Sequence, residues 1–166
     1  MWNHTYGLCS STCIQHVAIQ IPILVGDWLD SQSSNWKQRM TILIVEDNPS
    51  VRRLIKRATY DIAQNVVECE DGADSLEAYA THRPNIVLMD IRMPRMDGLA
   101  ATRRLLRAYP NAKVIILTDS NDDELRIAAR DAGACAYALK QNLTQLEEII
   151  LEVNSRASCN SDGDAD

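Results

Sequence analysis

Three carboxylates, a hydroxyl and an amine stand at the ends of short apolar runs in this chain. Asp90 closes Asn85-Ile86-Val87-Leu88-Met89, and Glu46-Asp47 close Ile42-Leu43-Ile44-Val45. Thr118 closes Val114-Ile115-Ile116-Leu117, and Lys140 closes Ala136-Tyr137-Ala138-Leu139. Carboxylates packed together repel, and each raises its neighbours' pKa. A divalent cation relieves that repulsion, and an all-oxygen set favours magnesium over zinc. Magnesium keeps several waters and prefers one or two carboxylates beside a phosphate oxygen, so a cation held here would neutralise an incoming phosphoryl group. One carboxylate would stay free to attack phosphorus and form an acyl phosphate. Lys140 would clamp a non-bridging phosphoryl oxygen, and the Thr118 hydroxyl could donate to another.

These five groups need elements that bring them together. Short apolar runs separated by helix-length amphipathic segments describe strands of a parallel sheet, where ligands bind outside the carboxyl ends of the strands. Strand one is expected over residues 41–46, strand two over Asn65 to Cys69, and strand three ends at Asp90. Asn48 offers a cap to helix one with Pro49 in its first turn, and Val51, Leu54, Ile55, Ala58 and Ile62 mark its apolar face. Helix two spans Ala73 to Thr81. Helix three follows Pro94 and Gly98, with Leu99, Thr102, Leu105 and Leu106 facing in and Arg103, Arg104 and Arg107 solvated. Helix four spans Asp122 to Ala132 before Gly133, and helix five spans Leu143 to Ser155. The pattern predicts an α/β fold, a doubly wound five-stranded parallel sheet of order 2-1-3-4-5 in the flavodoxin-like manner. Its switch point falls between strands one and three, where Glu46-Asp47 and Asp90 should meet.

Composition sets bounds. A chain of 166 residues holds one ordinary domain with a real core. A net charge of −6 argues against a nucleic-acid or anionic-membrane surface. No stretch approaches the roughly 18 apolar residues that span a bilayer. Cys9, Cys13, Cys69, Cys135 and Cys159 are scattered, with Cys69 and Cys135 in predicted strands, which suggests a reduced, intracellular chain with buried free thiols. Residues 1–39 carry few charges and all three tryptophans; they read as an N-terminal extension, poorly ordered or produced by an upstream start, with Met40 as the natural beginning. His4, Cys9, Cys13 and His16 fit no standard zinc module. Residues 156–166 read as a disordered acidic tail with no further domain after it.

The ordered motifs resemble the receiver domain of two-component response regulators over about residues 40–155. They are Ile44-Val45-Glu46-Asp47-Asn48; Met89-Asp90-Ile91-Arg92-Met93-Pro94 with Asp97-Gly98; Leu117-Thr118-Asp119; and Gly133-Ala134 followed by Tyr137-Ala138-Leu139-Lys140. Each motif alone is weak, and the set with these spacings is specific; the fifth strand looks most like the NarL-type subgroup. The resemblance implies that Asp90 accepts a phosphoryl group from a phosphohistidine. It implies that Asp47, Asp90 and the Arg92 carbonyl ligate Mg2+, with Glu46 acting through water, and that Lys140 pairs with the acyl phosphate. Thr118 and Tyr137 would form a switch pair that couples the site to the helix four–strand five–helix five face.

The implied partners are a sensor histidine kinase or a histidine phosphotransfer protein, and a downstream effector. No direct nucleic-acid or membrane contact is implied, and a phosphorylation-dependent homodimer stays open. The protein would be a cytoplasmic single-domain response regulator and not an enzyme in its own right. A phosphorelay intermediate, or the receiver fragment of a transcription regulator lacking its DNA-binding domain, is the alternative. An aspartyl-phosphate phosphohydrolase on a related fold would need a general acid at Arg92, which cannot serve. Arg92 and Ser120 occupy positions that vary in the family and would modulate how long the phosphoryl group survives. Asp119 departs from the family pattern, where a small residue is frequent, and Gln141 stands where a proline often follows the lysine.

Overall fold

A computed structural model describes residues 40–156. The expectations for the first 39 residues and for the tail after Arg156 lie outside the described residues. The elements alternate as β1 (Met40–Val45), α1 (Pro49–Ala58), β2 (Ala63–Cys69), α2 (Gly72–His82), β3 (Ile86–Asp90), α3 (Gly98–Ala108), β4 (Val114–Thr118), α4 (Asp123–Asp131), β5 (Ala136–Leu139) and α5 (Leu146–Ser155). The five strands form one parallel sheet of order β2-β1-β3-β4-β5. The three inner strands are nearly continuous runs of buried Ile, Leu, Val and Met, as a sheet covered on both faces requires.

Alternation along each strand divides the core in two. Ile42, Ile44, Leu88, Ile115 and Leu117 pack on one face against Ile55 of α1 and Leu146, Ile150 and Val153 of α5. Leu43, Val45, Val87, Met89 and Ile116 pack on the other against Ala101 and Leu105 of α3 and Ala129 of α4. Strand register aligns the ends that matter. Val45 lies opposite Met89, and Asp90 opposite Leu117, so the chain leaving β1 reaches Glu46 beside the end of β3.

Helix starts obey their caps. Asn48, Asp71, Asp97 and Asp122 each accept amide hydrogens from the first turn of α1, α2, α3 and α4. The predicted fifth helix is two pieces. A 3-10 turn, Lys140–Gln145, precedes the α-helix, with Asn142 in a non-helical conformation (φ −125°, ψ 54°). Asn142 accepts the Thr144 hydroxyl, and no side chain caps Leu146–Ser155, so the regular helix begins later than its apolar pattern does.

Leu54 does not face inward as its spacing predicts; it is 57% exposed. Val51, Ile55 and Ala58 form the α1 stripe, and Leu54 is rotated off it by one residue. Arg52 is buried instead. Cys69 is a free, half-buried thiol pushed up by burial, so the free thiol expected in that strand is found. Among the described residues no helix is long and apolar enough to cross a membrane.

Candidate functional site

The carboxyl ends of β1, β3, β4 and β5 bring the expected groups to one place. Glu46, Asp47 and Asp90 offer oxygen atoms that all lie within 4.8 Å of one another. Glu46 and Asp90 are buried, while Asp47 is exposed at the mouth. Lys140, whose side chain is 8% exposed, places Nζ 2.8 Å from both Glu46 Oε2 and Asp90 Oδ1. One ammonium therefore serves two buried carboxylates, with the Asp119 carboxylate 4.0 Å away on the outer side.

Glu46 and Lys140 are shifted by this crowding. Burial pushes the Glu46 carboxyl up, and the Asp90 charge adds to that, against the opposing pull of Lys140. Burial by itself would lower Lys140, but contacts with Asp90 and Glu46 outweigh it and hold the ammonium above its ordinary value. Glu46 Oε2 is buried and makes no hydrogen bond; it meets Lys140 Nζ at 2.8 Å as an ion pair. A buried carboxylate oxygen left in that state, beside two more carboxylates, fits a hard divalent cation with oxygen ligands.

Backbone contacts fix the nucleophile candidate. Asp90 Oδ1 accepts the Ile91 amide at 2.8 Å. The Gly98 amide donates to Ile91 O at 2.8 Å, and a Cβ at Gly98 would stand 1.8 Å from the Asp90 carbonyl oxygen. Glycine is required there because α3 starts directly against the backbone of Asp90. Arg92 is exposed and lines an open cleft with Asp47, Ile91, Met93, Pro94 and Asp97.

Thr118 is buried at the end of β4, and its hydroxyl accepts the Ser120 amide at 3.2 Å. Tyr137 is half-buried on β5 and donates its hydroxyl to the Ser120 carbonyl, with the Arg126 guanidinium 5.4 Å above its ring. The two expected switch residues are thus joined through one loop residue. Ser120 supplies both of these contacts from its backbone.

Sequence reasoning missed two supports. Arg52 donates Nη1 to the Glu46 carbonyl at 2.6 Å, Nε to Glu68 at 3.1 Å and Nη2 to Glu70 at 3.0 Å. It shares an i, i+3 face with Ile55, the one local sign that it turns inward. Asp71 could be read as a cap, but its bond to the Arg95 amide spans 24 residues, and no local pattern carries that.

The family description "Response regulator receiver domain" matches residues 42–152. The chain belongs to that family. It is 37% identical over 113 residues to the transcriptional regulatory protein YhcZ of Bacillus subtilis, covering 67% of this chain and 52% of that protein. It is 38% identical over 111 residues to the response regulator GacA of Pseudomonas aeruginosa, covering 66% of this chain and 51% of that one. The chain thus spans about half the length of these curated relatives. Among solved structures, the receiver domain of the response regulator NarL from Mycobacterium tuberculosis superposes with a TM-score of 0.63 at 27% identity, covering 71% of this chain and 98% of that one. The expected receiver fold and NarL-type likeness are both found, and the chain is a receiver domain of two-component response regulators.

Proposed function

We propose that Asp90 is the phosphoacceptor of this receiver domain and that its phosphorylation alters a partner surface on α4, β5 and α5. The observation that carries the reading is the buried pair Asp90 and Glu46 sharing Lys140, with Asp47 in the same cluster. Glu46, Asp47, Asp90 and the backbone at Arg92 would hold Mg2+. When bound, that ion would offset the charge of the entering phosphoryl group.

An Asp90 carboxylate oxygen attacks the phosphorus of a phosphohistidine on a sensor kinase or a histidine phosphotransfer protein. A new O–P bond forms as the P–N bond breaks, and the electron pair leaves with the imidazole. Lys140 stays beside Asp90 and pairs with a non-bridging oxygen of the product. The Thr118 hydroxyl leaves the Ser120 amide to donate to the phosphoryl group. The Ser120 loop moves with it, and so does Tyr137, bonded to the loop carbonyl. A downstream effector reads the changed face, and pairing of two phosphorylated copies through it is one form that reading could take. Such a cycle places the protein in the cytoplasm with its kinase, as a signalling domain and not an independent enzyme.

The chain spans about half of two relatives that carry regulator names, so the receiver portion of a transcription regulator is the second reading. A phosphorelay intermediate differs by kinetics, returning its phosphoryl group to a histidine within seconds. The test is intact mass after incubation with acetyl phosphate, with Mg2+ or with EDTA, beside Asp90→Ala. The expected result is one added phosphoryl group with Mg2+ only, absent from the variant. Equal uptake by Asp90→Ala would refute the assignment.

A further inference from the structure

The cleft beside Asp47 is closed on one side by residues 91–97, which carry the chain from β3 to α3. The two ends of this loop hold themselves. Gly98 donates its amide to the Ile91 carbonyl, and Asp97 accepts the amides of Leu99 and Ala100 at the start of α3. The middle is held from outside, by α2. Asp71, 3% exposed at the first turn of α2, accepts the Ala73 amide on Oδ1 at 2.9 Å and the Arg95 amide on Oδ2 at 2.8 Å. The Met96 amide faces the same carboxylate.

Two further contacts reinforce that seam. The Arg95 guanidinium brings Nε within 3.8 Å of Asp71 Oδ1 and pairs with Asp74 through Nη2. A Cβ at Gly72 would stand 2.7 Å from the Met96 carbonyl oxygen and 2.9 Å from Ala101 Cβ, so the loop backbone lies directly on the start of α2. Burial alone would push Asp71 up, but the amides of Ala73 and Arg95, the Arg95 charge and the Met96 amide outweigh it and keep the carboxylate ionised below its ordinary range. An N-cap needs one oxygen for its own helix. Asp71 uses its second oxygen on a segment 24 residues away.

We infer that Asp71 is a positioning residue for the cation site: by holding the Arg95 and Met96 backbone against α2, it keeps the Arg92 segment facing Asp47. The inference rests on the proposed Mg2+ reading of the Glu46–Asp47–Asp90 cluster. Asp71 touches neither the cation nor the phosphoryl group. Its influence runs through the Arg95 backbone amide, as outer partners of a metal site commonly act. Loss of it lets the loop move away, and the backbone oxygen at Arg92 no longer completes the oxygen set.

The test separates this role from helix capping. Serine caps helices as well as aspartate does, but it has one oxygen on a shorter side chain. Asp71→Ser therefore keeps α2 capped while releasing the loop. Isothermal calorimetry with Mg2+ alone should give about tenfold weaker binding for Asp71→Ser than for wild type, with an unchanged far-ultraviolet circular dichroism spectrum. Arg95→Ala retains the backbone amide and should bind within twofold of wild type. If Asp71→Ser does not fold, Asp71→Asn decides the matter, since one amide oxygen cannot serve both segments as two carboxylate oxygens do. Binding within twofold of wild type in the folded Asp71 variant would show that Asp71 is a cap and nothing more. Failure of wild type to bind Mg2+ would overturn the cation reading itself, a result distinct from equal binding by variant and wild type.

Discussion

Lys140 balances two buried carboxylates at 2.8 Å each, and that balance sets how the site responds to a cation. A pair of unit charges 4 Å apart near a protein surface interacts by about 4 kcal/mol. Removing the ammonium should therefore leave a stronger cation trap and a less stable unliganded protein. Lys140→Met is expected to bind Mg2+ about tenfold more tightly, or ~1.4 kcal/mol, while taking up phosphoryl groups far more slowly. Calorimetry and mass spectrometry measure the two effects separately, and weaker Mg2+ binding would mean that the lysine organises the carboxylates instead of competing with the ion.

A second charge prediction lies away from the site. The Lys56 ammonium, 2.6 Å from Glu68, is the main reason that carboxyl titrates below its ordinary value, with Arg52 adding to the effect against burial. A lowered folded value means that the unfolded chain binds the proton more readily. The contribution is therefore fully present above about pH 4.3 and is lost as pH falls through the lower folded value. Glu68→Gln should cost about 0.5 kcal/mol at pH 7, the size of an exposed pair, and nothing at the acid end. Urea melts at the two pH values check this.

Between elements, the decisive contacts are close backbone approaches. Gly98→Ala would drive a methyl group into the Asp90 carbonyl, so α3 must retreat from the end of β3. The expected cost is about 4 kcal/mol, at the severe end for a single substitution, with phosphoryl uptake impaired in the protein that still folds. Thermal melting beside uptake kinetics measures both; a loss under about 1 kcal/mol, the ordinary size for a substitution, would show that α3 can slide freely. The strands and their order were legible because buried runs of Ile, Val and Leu end on functional groups, and period and polarity suffice to read that. Gly98 was visible as a turn residue, though not as a contact. The long-range supports were invisible for a physical reason. Arg52 and Asp71 look like a solvated arginine and a helix cap until the fold brings Glu46 and Arg95 to them. The break at Asn142 was hidden because Leu143, Leu146 and Ile150 keep a helical period across it, and the non-helical backbone at Asn142, which accepts the Thr144 hydroxyl, leaves no trace in that period.

At the scale of the molecule, the sheet gathers one cluster of charge and ties it to a distant face through few atoms. Thr118, the Ser120 loop and Tyr137 form the described link between the carboxylate cluster and β5, where Arg126 of α4 lies over the tyrosine ring. Under the proposed reading this link takes up a second position when Asp90 is phosphorylated, and so converts a change at Asp90 into a change of surface. The most direct measurement is to incubate the protein with acetyl phosphate and Mg2+, reduce it with borohydride, and map the homoserine that replaces a phosphorylated aspartate by peptide mass spectrometry. The predicted result is homoserine at position 90 alone. Homoserine at position 47 or 119 with none at position 90 would contradict the assignment of Asp90 as the phosphoacceptor.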